Sequence, residues 1–256
     1  MATVRWLSIA PVKGLALVQL DEVEMTADGV AGNRRFWLVD ADGRMYAQLR
    51  EPRLARVAAR WDEESRRLEL HLPDGEAVAG SVALGEPVAT EFAGRRVAGR
   101  LVLGPWAEAL SAYVGRPLAL VHGDRPGAAV DRSRGQVTLV SEASLAELAR
   151  RSGRKAVDGR RFRMLIGVDG ARPHEEDEWC GRPVRVGQAV VRVLEQVARC
   201  AVTTRNPDTG ERDFDTLRAI AAYRGLRDGE AIDFGVYGDV LEAGRVRVGD
   251  RVEPLA

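Results

Sequence analysis

The residues with chemical reach in this chain are one cysteine, one lysine and a set of arginines. Cys200 stands in VARCAVTTRNPDTGERD, after a β-branched run and before a loop rich in turn formers. A cationic neighbour, here Arg199, favours the thiolate, the form that ligates metals or attacks electrophiles. A buried structural cysteine is the competing reading of the same residue. Cys180, in GluTrpCysGly, has no such surroundings and reads as incidental. Arg34, Arg35, Arg50, Arg53, Arg161 and Arg163 are candidate anion binders, because guanidinium is a planar fork suited to phosphate. Solvated surface charge is the alternative for each. Lysine is rare, only Lys13 and Lys155, and Lys13 lies two residues after Pro11 and just before Gly14. His71, His122 and His174 are too scattered to nominate a metal centre. The chain has no GxGxxG after a strand, no GxxxxGK[ST], no HExxH and no GxSxG.

Short β-type runs must position these residues. Strand character marks 4–9, 36–40, 54–61, 67–72, 100–103 and 117–122, with AspGly and ProAspGly turn signals between them. That punctuation predicts a β barrel or sandwich in the first part of the chain. Trp106, Leu110 and Val114 fall at helical spacing and predict a helix over 107–114. The Gly-, Pro- and charge-rich stretch 122–136 reads as a long surface loop, a candidate boundary or active-site loop. A strand over 137–140 follows, and Ser141 with Ser144 reads as the N-cap region of a helix. Further strands are expected over 163–168, 184–186, 190–197 and 246–252, with a helix over 215–223. The fold class is mostly β with a few helices (α+β).

Composition narrows the function. The 256 residues carry 38 basic and 38 acidic side chains, a balance that argues against a nucleic-acid partner. Two cysteines outside CxxC spacing make no disulfide framework and fit a reducing compartment. No secretory signal and no run long enough for a transmembrane helix is visible, so a cytoplasmic protein without a membrane partner is expected.

PVKG at 11–14, GNRRFWLVD at 32–40, REPRL at 50–54, SEASL at 141–145, RFR at 161–163, EDEW at 176–179, RCAVTTRNPDTG at 199–210, FGVY at 234–237 and VGDRV at 248–252 occur in one order. Together they closely resemble the MOSC family. The layout is similar to its two-part members, the mitochondrial amidoxime-reducing component and bacterial counterparts, where a β-barrel domain precedes the MOSC domain. The resemblance covers almost the full chain, and RCxxTTxxPDTG is its most specific part. It implies an N-terminal β-barrel-like domain over 1–120 and a MOSC β-barrel domain over 121–256.

The resemblance also implies a molybdenum cofactor, a pyranopterin whose dithiolene sulfurs hold the metal while a protein cysteine completes the ligation. Cys200 matches that cysteine, as metal ligand and catalytic residue. Positions matching the family's cofactor contacts are Lys13, Arg35, Ser141, Arg163, Arg199 and Tyr237. Pyridoxal phosphate binding is a further property attached to the family. The implied activity is that of a molybdenum-dependent oxidoreductase, reducing N-hydroxylated or N-oxide small molecules by oxygen-atom transfer. An external electron-transfer protein would be the partner, since no flavin, haem or iron–sulfur motif is visible. Two alternatives stand beside it: a sulfur carrier or sulfurtransferase using a Cys200 persulfide, and a cofactor-binding protein without turnover. The sequence departs from the amidoxime reducers at four points. Gly14 and Ala198 stand where they have serine, Met164-Leu165 where they have Pro-Asn, and Leu49 where many carry arginine.

Overall fold

The computed structural model describes residues 1–124 and 134–255. Most of the loop expected over 122–136 lies outside the described residues, and so does its suggested role at a site.

Between Phe36 and Gly123 the chain builds two antiparallel sheets around one core. The first runs Ala83–Phe92, Arg95–Leu103, Leu118–Gly123, Phe36–Asp40, Met45–Tyr46; the second is the meander Ala58–Asp62, Arg67–His71, Ala77–Ser81. Phe36, Leu38, Leu54, Leu68 and Leu70 meet in that core together with α1 (Trp106–Val114). Trp106, Leu110 and Val114 are the buried residues of α1, because four-residue spacing puts them on one face. The Trp106 indole Nε1 donates to the Leu68 carbonyl at 3.1 Å, so its polar edge is satisfied inside the core. Gly115 ends the helix in the left-handed region at φ 76°.

The second body is a closed barrel of seven strands. Around it run Ile166–Asp169, Val137–Ser141, Asp233–Glu242, Ala189–Ala198, Pro183–Val186, Arg251–Pro254 and Ala2–Ile9, which pairs back onto Ile166–Asp169. Val4, Leu139, Val168, Val184, Val193 and Val236 fill its interior. Each buried side chain of this kind is worth roughly 1.5–3 kcal/mol. One pair in the barrel is parallel, Val137–Ser141 with Ile166–Asp169. The link between them includes α2 (Glu142–Arg151), as a parallel pair requires a crossover. With α3 (Thr216–Arg224), α2 packs on the outside over a core of Leu145, Leu148, Ile220 and Phe234.

The division at 1–120 and 121–256 does not follow these sheets. Ala2–Ile9 is a stave of the second barrel, with Ala2 opposite Val252, and Glu22–Thr26 pairs with Gly244–Arg247. Pairings this far apart in sequence leave no trace in local hydrophobic pattern. The strand expected over 246–252 is two strands, Gly244–Arg247 and Arg251–Pro254, with a turn containing Gly249 at φ 91° between them. The run 54–61 begins as a short 3-10 turn, Pro52–Arg56, because Pro52 suits a helix start and Glu51 caps it.

Candidate functional site

The site forms where the strand Ala189–Ala198 ends and the two bodies meet. Cys200 directly follows that strand, in extended backbone at φ −123° and ψ 176°, and is exposed. Thr203 Oγ1 donates to the Cys200 carbonyl at 3.0 Å and shares a 2.7 Å hydrogen bond with Thr216 Oγ1. The two threonines thus tie the cysteine turn to α3.

Arg199 sets the direction of that turn. Its Nε donates to the Phe234 carbonyl at 2.8 Å and its Nη1 to the Phe162 carbonyl at 3.0 Å. Nη2 reaches the Phe234 carbonyl as well, and Met164 Sδ at 2.8 Å. The guanidinium also lies 5.3 Å from the Phe162 ring centroid. Its fork therefore clamps three segments together, so Arg199 is a positioning residue for Cys200.

A hollow of about 250 Å³ opens beside the thiol. Cys200, Lys13, Arg163 and Arg199, four of the residues expected at the site, line it. Lys13 reaches it from the PVKG turn, where its N–H donates to the Phe36 carbonyl at 2.7 Å and its Nζ lies 4.6 Å from the Phe92 ring centroid. Gly14 is required there: its φ is 88°, and a Cβ would stand 2.9 Å from Ala47 Cβ. The RFR run divides its labour. Arg161 is buried and makes a two-pronged pair with Asp213, both contacts at 2.7 Å, holding the Asp213 carboxyl below its usual range. Phe162 stacks on Phe234 with centroids 4.5 Å apart. Arg163, left-handed at φ 52°, donates from Nη2 to the Leu15 carbonyl at 2.8 Å.

Three expected residues lie elsewhere. Arg35 does not line the hollow; its Nε is 3.6 Å from Glu63. Arg34 takes the place instead, with Nη2 donating to the Arg163 carbonyl at 3.1 Å. Arg34 lies in the turn before the strand Phe36–Asp40, left-handed at φ 51°, and that local backbone, which the sequence pattern does not reveal, separates the directions of the two side chains. Ser141 is the fully buried N-cap of α2. Its hydroxyl accepts from the Ser144 N–H at 3.0 Å, and the buried Glu176 Oε1 accepts from Ser144 Oγ at 2.7 Å. SEASL and EDEW thus meet in a structural lock, where burial pushes the Glu176 carboxyl up. Tyr237 donates to Glu195 at 3.2 Å and its ring packs on Gly135, outside the lining of the hollow.

The sequence left Gln48, Phe92 and Val202 unassigned at the site, yet they complete its wall. Phe92 is carried by the long hairpin strand Ala83–Phe92, where Gly85 and Pro87 break the alternation that marks a strand. Three of the four sequence departures, Gly14, Leu49 and Ala198, line this hollow, and the fourth supplies Met164 to the Arg199 clamp. Among the described residues no three His, Cys, Asp or Glu side chains group as metal ligands. His122 meets Phe36 and Trp61 edge to face, and burial lowers its pKa to about 4. His174 is lowered to about 4 for the same reason, beside Tyr223 and Phe234.

Comparison with known proteins matches this arrangement to one family. The model described as "MOSC domain" matches residues 121–253, and that described as "MOSC N-terminal beta barrel domain" matches 1–117. The chain belongs to the MOSC family. This MOSC chain is 29% identical over 286 residues to "Mitochondrial amidoxime-reducing component 1" of Homo sapiens, covering 98% of the chain and 82% of that protein. It is 28% identical over 283 residues to "Mitochondrial amidoxime reducing component 2" of Bos taurus, with 98% and 83% covered. To "Molybdenum cofactor sulfurase" of Oryza sativa subsp. japonica it is 32% identical over 142 residues, 48% of this chain and 17% of that protein. Among the described residues no helix is long and apolar enough to cross a membrane.

Proposed function

We propose that this MOSC protein is a molybdenum-cofactor-dependent oxidoreductase for N-hydroxylated or N-oxide small molecules, with Cys200 as the protein's ligand to the metal. One observation carries the reading. An exposed thiol stands at a hollow whose lining side chains include five cations and no carboxylate: Lys13, Arg34, Arg161, Arg163 and Arg199.

The donor set fits such a group. A bare metal ion needs several protein ligands, and the described residues offer no cluster of three. A single soft sulfur suits a metal that arrives with its own dithiolene ligands and lacks one more. The cationic wall suits the phosphate of the pterin. The names of the amidoxime-reducing and sulfurase relatives support the same choice.

When bound, the cofactor supplies two-electron oxygen-atom transfer, and the chain's own residues do the rest. Cys200 presents its sulfur from a turn held by Arg199 and Thr203. Lys13, Arg34 and Arg163 hold the anionic end. Leu49, Phe92 and Val202 give the mouth an apolar lining that admits an organic substrate and limits water. Two electrons and two protons convert an amidoxime to an amidine and water, and the electrons come from an external electron-transfer protein.

Protein made in a host that synthesises the cofactor tests this by metal analysis and by amidine formation from benzamidoxime with reduced methyl viologen as donor. The expected result is about one molybdenum per chain and turnover, with both lost in Cys200→Ala. Wild type without molybdenum, or a Cys200→Ala variant that matches it in metal and turnover, overturns the proposal. Molybdenum without turnover on N-hydroxylated or N-oxide substrates favours binding alone, a reading supported by Gly14, Leu49 and Ala198, which bring no polar side chain to the hollow.

A further inference from the structure

Part of the wall beside Cys200 is apolar. Of the larger apolar side chains there, Phe162 and Val197 are buried in the core, whereas Leu49, Phe92 and Val202 keep surface that a ligand can cover. These three come from separate segments. Leu49 follows the strand Met45–Tyr46, Phe92 ends the strand Ala83–Phe92, and Val202 sits in the 3-10 turn just past Cys200. We propose that Phe92, with Leu49 and Val202, makes this hollow selective for compounds with a flat aromatic body. The substrate class rests on the reductase reading above, under which such compounds are aryl amidoximes and aryl N-oxides.

Phe92 is fixed as a wall before any ligand arrives. Val88, Thr90 and Phe92 alternate along their strand and so share one face. Val88 and Phe92 pack against the cluster Trp37, Val39, Met45 and Val121. Thr90 is fully buried, and its Oγ1 accepts from Trp37 Nε1 at 2.9 Å. Directly after Phe92 the chain reverses through Ala93 at φ 50° and Gly94 at φ 74°, and Phe92 pairs with Arg95. Two left-handed residues make the tight turn whose twist suits a hairpin. Ala93 takes up this conformation without glycine's freedom, which non-glycine residues do rarely, and at functional sites more than elsewhere. A ring held in this way loses little freedom when a second ring packs on it.

Exposure marks the second wall. Six large apolar side chains stay exposed among the described residues, and of these Leu49, at 51%, lines this hollow. An aromatic body buries more apolar area against these side chains than a short alkyl chain does. Ring–ring contact in offset or edge-to-face geometry adds to that beyond the area covered. Small-ligand sites combine apolar walls for the body with a few polar groups that fix orientation. Here the walls stand beside the thiol that the reading above assigns to the metal.

Two ratios test this. In cofactor-free protein, Cys200 is alkylated with iodoacetanilide and with iodoacetamide, which deliver the same carbon to sulfur with and without a phenyl ring. Each rate is divided by that of glutathione, and peptide mapping separates Cys200 from the half-buried Cys180. Wild type is expected to favour the aryl reagent about three- to tenfold. Phe92→Leu, which keeps apolar volume and loses the ring, is expected to remove most of that preference. Leu49→Arg, at an exposed position, is expected to reduce it with an unchanged melting temperature. In cofactor-loaded protein the kcat/KM ratio of benzamidoxime to acetamidoxime is expected to fall about three- to tenfold in Phe92→Leu, through KM. Each value compares two compounds on one protein, so a general change in thiol reactivity or metal content cancels. A wild-type preference no greater than that of glutathione, or a Phe92→Leu variant that keeps the wild-type ratio in either assay, overturns the assignment. Loaded wild type without molybdenum or turnover refutes the reductase reading alone, and the alkylation ratio, which needs no molybdenum, still decides the aryl selectivity.

Discussion

Arg199→Lys separates two roles for the residue beside the thiol. Lysine keeps the positive charge but not the fork. Arg199 donates to the Phe162 carbonyl at 3.0 Å and the Phe234 carbonyl at 2.8 Å, and lies over the Phe162 ring. An ammonium on a flexible stem reaches one of these carbonyls and leaves the other without its donor. An orphaned buried acceptor costs about 1–3 kcal/mol. A weakened cation–π contact adds about 0.5–1 kcal/mol. The expected loss is therefore about 1.5–4 kcal/mol in urea unfolding, with faster amide hydrogen exchange across residues 199–204. If charge beside Cys200 were the whole role, Arg199→Lys would be silent. A variant within about 0.5 kcal/mol of wild type, with unchanged exchange in that segment, refutes the clamp.

Gly14→Ser restores the side chain that the amidoxime reducers carry, but places it at φ 88° with its Cβ 2.9 Å from Ala47 Cβ. It is expected to cost about 2–3 kcal/mol, read as a drop of several degrees in melting temperature. Arg34→Gly, which tolerates φ 51°, is expected to lower the molybdenum retained per chain, whereas Arg35→Ala, with its partner at Glu63, is not; metal analysis of both decides. His122 titrates near 4 in the fold against 6.5 when free, because burial disfavours its charged form. Its contribution to stability is then complete above pH 6.5 and is lost as pH falls towards 4. The full shift is worth about 3 kcal/mol, and partial access of water reduces it to about 2. Urea unfolding at pH 7.5 and 4.5 is expected to show wild type losing about that much more than His122→Gln; parallel losses contradict it.

Local pattern announced many of the elements. Residues 36–40 are a short apolar run bounded by turn signals and form the strand Phe36–Asp40, and the helical spacing of Trp106, Leu110 and Val114 is the buried face of α1. Ser141 was legible as a cap, and it is one, but a capping hydroxyl is turned to its own helix and cannot also serve a pocket. Cys200 and Lys13 stood out as rare residues, Arg163 and Arg199 were picked out only by the resemblance of their motifs to the family, and all four line one hollow. The choice between Arg34 and Arg35 was not, since it depends on which way a backbone at φ 51° turns before a strand. Nor was the membership of Ala2–Ile9 in the second barrel, which pairing with Ile166–Asp169 and Arg251–Pro254 decides.

That stave between two late strands sets the order of events at the ribosome. The segment Ala2–Ile9 emerges early, yet its neighbours on both sides are made long afterwards, up to Pro254. Until then the nascent chain keeps one apolar ribbon waiting, paired only with Val18–Leu20. Synthesis interrupted before Arg251–Pro254 leaves a ring with a gap and an exposed strand edge, a template for self-association. Once the last strand docks, the start and finish of the fold are stapled to each other, and pulling on either end has to tear a β ladder before anything else gives.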